Sequence, residues 1–409
     1  MLLQEQYPGN QPRPEDMMIT LKDIEQAQKN IGPFIHRTPL IPSNSLSFLS
    51  GADVYLKLEN LQKTGSFKVR GAFNKLVKVK DQRVIAASMG NHAQAVAYAA
   101  GKLGKQAVIV MPETASLVKQ EATKGYGAEV VLHGEHFSDA LDHALTRKDA
   151  LFIHPFDDDD VIAGQGTVGL EIAGDLRGID AVLVPVGGGG LLAGTAAAVK
   201  ALAPSTKIIG VQAASAASAC VSFGEHKVCE RVPGPTIADG IAVGRVGERT
   251  LALMAAHVDD MLIVHEDAIA RAILLFLERK KLVVEGAGAV PLAALLENAD
   301  RFRGKRVVLV VSGGNIDFTL VDRIILKGLV TSHRIGMISV VIDDVAGSLH
   351  TVTGILGAQK ANILDVIHAR LDRDVPIGRT KVVFTVEVRG KDHLTSVFTA
   401  LRDKGYEVD

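Results

Sequence analysis

Lys63-Thr-Gly-Ser-Phe-Lys-Val-Arg-Gly-Ala72 joins two differently patterned stretches, and the fold turns on how it is read. Before it, Ala52-Asp-Val-Tyr-Leu-Lys-Leu-Glu59 alternates like a strand. After it, Val69, Phe73 and Leu76 recur at helical spacing. The stretch is therefore a strand-to-helix turn with Lys68 at its mouth. A lysine followed at once by a packed helix is held in one place, and Schiff-base chemistry needs a fixed, neutral amine. Lys57, Lys63, Lys75, Lys78 and Lys80 lie close by, so Lys68 equally reads as one solvated charge among several. Taken alone it decides nothing.

Three further stretches change the balance. Ser88-Met-Gly-Asn-His-Ala-Gln-Ala95 follows the apolar run Arg83-Val-Ile-Ala-Ala87 and leads into an Ala-rich helix. Pro185-Val-Gly-Gly-Gly-Gly-Leu-Leu192 follows Ala181-Val-Leu-Val184 and leads into another. Ser312-Gly-Gly-Asn315 ends the run Arg306-Val-Val-Leu-Val-Val311. Together with Gly65-Ser-Phe-Lys-Val-Arg-Gly71, these resemble the fold type II (tryptophan synthase beta-like) pyridoxal-phosphate (PLP) enzymes. The closest resemblance is to the threonine/serine ammonia-lyases, over roughly residues 20 to 325. Four motifs in the family's order are far more specific than any one of them.

Each motif also has a plainer reading. Gly187, Gly188, Gly189 and Gly190 lack Cβ atoms, so their backbone can wrap a phosphate at the positive end of the following helix, with Leu191 next in line. A glycine run after a strand is also an ordinary tight turn or a dinucleotide loop, but neither G-x-G-x-x-G nor a Walker spacing is present. Ser88, Met89, Gly90, Asn91 and His92 suit a substrate carboxylate, and equally an ordinary Ser-capped helix start. Ser312 with Gly313 and Gly314 fits a strand-end turn too. The resemblance assigns roles to these positions. It implies that Lys68, beside Phe67, carries the cofactor as a Schiff base, that Asn91 contacts its ring hydroxyl, and that Ser312 faces its pyridine nitrogen. The glycine loop would hold its phosphate, and Ser88 to His92 the substrate carboxylate. Racemases of this fold carry a serine just before Gly-Asn-His, where this chain has Met89.

Composition narrows the class. The chain has 409 residues, 40 glycines, no tryptophan and 47% hydrophobic residues, which suits an α/β enzyme of two or three domains. A net charge of −1 argues against a nucleic-acid footprint. Cys220 and Cys229 form no CxxC pair, so neither a disulfide framework nor a zinc site is indicated. No apolar run reaches the ~20 residues of a membrane span. Met1 to Asp16 lack the apolar core of a signal peptide. A cytoplasmic enzyme is expected, with residues 1–18 a disordered extension and Met17 or Met18 a possible start. Asp157 to Asp160 read as a solvated helix start rather than a metal site. His133, His136 and His154 have no zinc spacing. The loop after Gly210-Val-Gln212 offers no carboxylate to the cation that related enzymes often hold there. No metal is expected.

Along the chain, Thr20 with Asp23 reads as a helix cap, and from Arg83 to Leu132 strand and helix alternate. A small parallel-sheet subdomain of about residues 55–155 is expected inside a catalytic domain of residues 19–328, with the larger part resuming near Phe152-Ile-His-Pro155. After Gly328 the pattern becomes β-α-β-β-α-β, with strands at His333 to Ile342, Ile363 to Leu371 and Lys381 to Arg389, and a last one at Tyr406 to Val408. That is the ferredoxin-like order. Asp344-x-x-Gly-x-Leu349 resembles the ligand loop of an ACT regulatory domain over residues 333–409, with Asp344, Gly347, Ser348 and Leu349 expected to meet an amino-acid effector. The expected activity is PLP-dependent deamination of L-threonine, through β-elimination of water, to 2-oxobutyrate and ammonia, and of L-serine to pyruvate, in a homo-oligomer under amino-acid control. The alternatives are a serine or threonine racemase of the same fold, and an amino-acid sensor without catalysis.

Overall fold

The structure is a computed structural model that describes residues 19–370 and 375–409. The expected N-terminal extension, both candidate start methionines and Leu371 lie outside the described residues. The chain divides into two compact units, the first running to Ile316 and the second spanning Asp317–Asp409. The helix Phe318–Thr331 falls in the second unit, so the division lies ahead of residue 328.

The first unit contains two sheets. The larger runs in the order Leu40–Pro42, Asp53–Leu58, Arg306–Val311, Ala181–Pro185, Lys207–Ala213, Asp260–Val264. All neighbours are parallel except the short first strand, which lies antiparallel to Asp53–Leu58. Val307 to Val311 and Val182 to Val184 are buried throughout, because helices cover both faces. The smaller sheet is wholly parallel, in the order Glu129–Leu132, Gln106–Met111, Arg83–Ala87, Leu151–Phe152. It therefore starts at Arg83, not near residue 55, since the strand before Lys68 belongs to the larger sheet. Phe152 still pairs with Ile85, and the Ile153 N–H bonds the Ile85 carbonyl, so the smaller sheet holds the chain as far as Ile153. That edge strand is two residues long, too short to carry a periodic signal.

The expected cap at the first helix is present: Thr20 Oγ1 lies 2.6 Å from Asp23, and the Asp23 carboxylate accepts the Thr20 N–H at 2.9 Å. The helix Asp159–Asp175 begins within the acidic run, with Asp158 as its N-cap. Its acidic entrance is less solvated than expected. Asp158 and Asp160 pair with Lys75, and Asp159 with Arg249. The Asp157 carboxylate accepts the N–H groups of Arg249 and Thr250 at the start of a second helix, Glu248–His257.

After the helix Phe318–Thr331, the elements of the second unit follow the order β-α-β-β-α, closed by an isolated bridge at Val408. Ile335–Asp343 and Asn362–Ala369 both pair antiparallel with Arg379–Glu387, while Val408 bridges antiparallel to Val340 on the far side of the first strand. The helices Ser348–Ala358 and Lys391–Arg402 bury Val352, Leu356, Val397 and Leu401 against Ile338, Val340, Phe384 and Val386. Among the described residues, no helix is long and apolar enough to cross a membrane.

Candidate active site

Lys68 is the first residue of the helix Lys68–Leu76, and its Nζ donates to the Pro155 carbonyl at 2.8 Å. It keeps a solvent-facing side, yet protein crowds it closely enough that lost hydration lowers its amine to about 8, against an opposing pull from Glu285. Its Nζ also lies 5.3 Å from the centre of the Phe67 ring. The helix beneath is anchored by buried charge. Arg70 is fully buried and binds Glu59 through two nitrogens at 2.8 Å and Glu171 at 2.8 and 3.0 Å. Lys57 pairs with the same Glu171, and Thr38 donates to Glu59.

The glycine loop reaches the same place through Phe156. A Cβ on Gly188 would fall 2.3 Å from the Phe156 ring, and one on Gly190 3.1 Å from its Cβ. Gly189 has φ +95°, a left-handed conformation that glycine adopts without penalty, and opens the helix Gly190–Leu202. The N–H groups of Gly187 to Gly190 donate to no acceptor among the described residues. The Gly188 carbonyl is instead held by the Thr250 hydroxyl at 2.7 Å. Leu191 buries its side chain in the core of the larger part, so only its backbone faces the loop. This is a cradle that side chains would fill.

The strand end Ser312 to Asn315 lies beside the lysine loop. The Phe67 N–H donates to the Ser312 carbonyl at 3.1 Å, and Ser66 bridges to Gly313. Ser66 Oγ is fully buried and has no partner among the described residues. An orphaned hydroxyl, an open row of N–H groups and a crowded amine together fit a group bearing a phosphate and an aldehyde.

From the smaller sheet, Asn91 opens the helix Asn91–Lys102 with Gly90 as its N-cap. Ser88 does not cap that helix; its hydroxyl accepts from the Gly90 N–H at 3.2 Å. Met89 packs against the core of the smaller sheet. His92 is buried and bonded to the Ile153 carbonyl at 2.9 Å. Since a carbonyl only accepts, Nε2 carries the proton. Burial and the nearby Lys68 push this ring down to about 3.

The sequence reading missed several residues that the structure brings here. Pro155 and Phe156 lie in a segment with no helical or strand period. His154 Nδ1 accepts the Asp157 N–H at 2.7 Å, and burial pushes that ring down to about 4. Glu285 and Asn315 converge on Asn91: the Asn91 amide donates to Glu285 at 2.8 and 3.1 Å and accepts from Asn315 at 2.8 Å. Asn315 stood inside a quoted motif without a role, and Glu285 has no local signature at all.

A family model for pyridoxal-phosphate dependent enzymes matches residues 31–313. The chain belongs to this family. An L-threonine ammonia-lyase of Thermotoga maritima is 47% identical over 399 residues, 96% of this chain and 99% of its own. Among solved structures, the processed form of threonine deaminase isoform 2 from Solanum lycopersicum is 39% identical with a TM-score of 0.73, covering 78% of this chain and 90% of that one. Maize serine racemase is 33% identical with a TM-score of 0.71, covering 77% of this chain and 99% of that one. As a pyridoxal-phosphate dependent enzyme, the chain has the two parallel sheets of fold type II.

The Asp344 to Leu349 loop belongs to the second unit. Asp344 pairs with Arg370 at 3.3 Å, Gly347 has φ +95°, Ser348 opens the helix, and Leu349 packs against the core of that unit.

Proposed function

We propose that the chain eliminates water from L-threonine, and that hydrolysis of the released enamine takes up a water and frees ammonia to give 2-oxobutyrate; L-serine is handled likewise to give pyruvate. The observation that carries this reading is the crowded amine of Lys68, held at 2.8 Å by the Pro155 carbonyl, next in sequence to the Phe156 against which the glycine loop closes. The substrate follows from the 47% identity, across nearly the whole chain, to a protein named L-threonine ammonia-lyase. Bound pyridoxal phosphate supplies the electron sink that acidifies the C–H bond beside the substrate amine.

The chain's own residues supply the rest. N–H groups of Gly187 to Gly190 would hold the phosphate at a helix start. Asn91 would face the ring hydroxyl, and the N–H groups from Ser88 to His92 would receive the substrate carboxylate. Lys68 Nζ takes the α-proton, a task suited to an amine whose pKa lies near working pH. Ser312 would offer the ring nitrogen a hydroxyl, which would not hold a proton there as a carboxylate does, and that would favour prompt loss of the β-hydroxyl. Racemisation needs a second acid/base on the opposite face, and Met89 has no proton to deliver.

The second unit is read as an ACT-like amino-acid sensor of residues 333–409, with Asp344, Gly347, Ser348 and Leu349 at the ligand. Its element order and loop support this. The edge strand Asn362–Ala369 exposes Leu364, Val366 and Ile367, which supports pairing between copies in a homo-oligomer. A cytoplasmic setting goes with this reading.

Initial rates on L-threonine and L-serine, with and without L-isoleucine, test it. The holoenzyme should release 2-oxobutyrate from threonine, at a rate that isoleucine changes. Formation of D-amino acid without 2-oxo acid would show that the reaction has been misread.

A further inference from the structure

We infer that Glu285 is a positioning residue that fixes the orientation of the Asn91 amide, and that Asn315 completes the lock from the other side. Asn91 Nδ2 lies 2.8 Å from Glu285 Oε1 and 3.1 Å from Oε2. Asn91 Oδ1 takes a hydrogen bond from Asn315 Nδ2 at 2.8 Å. An ionised carboxylate only accepts, and the Nδ2 of an amide only donates. With an obligate acceptor at one end and a donor at the other, the Asn91 amide has one allowed orientation.

The lock joins three parts of the first unit. Asn91 starts a helix of the smaller-sheet part, while Glu285 immediately precedes the helix Gly286–Glu297, packed on the larger sheet. Asn315 also donates to the Thr64 carbonyl at 2.8 Å, in the loop that leads to Lys68. A Cβ on Gly65 would fall 2.3 Å from Asn315 Oδ1, so the lysine loop is pressed against this amide. Gly313 is similarly close to Glu285, its Cβ position being 2.2 Å from Oε1. Turning Asn91 therefore disturbs the two motifs that flank Lys68.

Glu285 is buried, and burial raises its carboxyl to about 7, with Asp239 adding to the rise and Asn91 and Lys119 opposing it. Lys68 faces it as well. As pH falls through that value, a proton settles on the carboxyl and the obligate acceptor is lost. Turnover then falls toward acid, with an apparent midpoint near 7.

The inference rests on the elimination reading, and the test separates the two. If the wild-type holoenzyme does not deaminate L-threonine, that reading fails. If it does, Glu285→Gln decides the inference, because glutamine keeps the shape but can donate to Asn91 as well as accept from it. The expected result is a ~10- to 100-fold lower kcat, as for a reacting group held slightly out of place. KM should change much less, the acid limb near pH 7 should vanish, and the visible band of the bound cofactor should shift. Wild-type kcat with the acid limb retained overturns it. So does a kcat loss that only tracks a lower melting temperature, with the pH profile and band unchanged. Should Glu285→Gln not fold, Asn315→Asp takes its place by setting an acceptor opposite Asn91 Oδ1. It must then reproduce the fall in kcat and the displaced band, and wild-type values for both overturn the inference.

Discussion

Lys68 is useful because of where its amine stands. A free lysine titrates near 10.5; crowding brings this one to about 8, so a fair share is neutral at working pH. Lys68→Ala should abolish turnover while leaving the melting temperature close to wild type. A normal rate in that variant would move the role to another lysine. Met89→Ser restores a hydroxyl where racemases of this fold carry one, and chiral analysis should then detect D-serine formed from L-serine. Substantial racemisation by the unmutated chain would contradict the part assigned to Met89. The pH dependence of folding follows from the same burial. His92 is neutral when folded, with its pKa depressed from 6.5 to about 3, so between those values the unfolded chain binds more protons. Stability is therefore lost as pH falls from about 6.5 toward 3, and His92→Gln should flatten that decline in denaturant titrations across the window. A decline of unchanged steepness would show that other groups control it.

At the scale of elements, the Lys68 helix stands on Arg70, Glu59, Glu171 and Lys57, all buried. Burial alone would raise Glu59, but Arg70 holds its carboxyl below the usual range. Arg70→Met leaves two carboxylates facing each other without their shared cation and should destabilise the fold by ~3–5 kcal/mol, read from chemical denaturation. A loss below 1 kcal/mol would show that the network is dispensable. The sequence displayed most of these elements, for physical reasons. Strands buried on both faces must be continuous apolar runs, as in Arg306–Val311, and a helix start with a left-handed cap favours glycine, as at Gly189. Ion partners leave no such trace. Glu171 sits mid-helix and meets Lys57 across 114 positions of sequence, so no local period could have announced it. Glu285 and Phe156 were hidden for the same reason, since their significance lies in what packs against them. The strand Asp260–Val264 was also passed over; three of its residues are only partly buried and one is exposed, giving a weaker apolar signal than the central strands.

At the scale of the whole molecule, the first unit holds the candidate site and the second the candidate sensor. An effector shifts turnover only if it binds one state of the assembly better than another, and such couplings are typically ~1–3 kcal/mol, or roughly 5- to 150-fold in apparent affinity. A chain ending at Ile316 should keep threonine deamination and lose its response to isoleucine or valine in rate assays. An undiminished response would place the effector in the first unit. Calorimetry on the full chain should detect an amino acid bound outside the Lys68 site; its absence would leave the second unit an assembly module.

The most direct test of the account is borohydride reduction of the holoenzyme, followed by peptide mapping and a threonine assay. The account predicts a single pyridoxyl group on the peptide carrying Lys68, together with loss of 2-oxobutyrate formation. A label on any other lysine, or deamination that survives complete reduction, would contradict it.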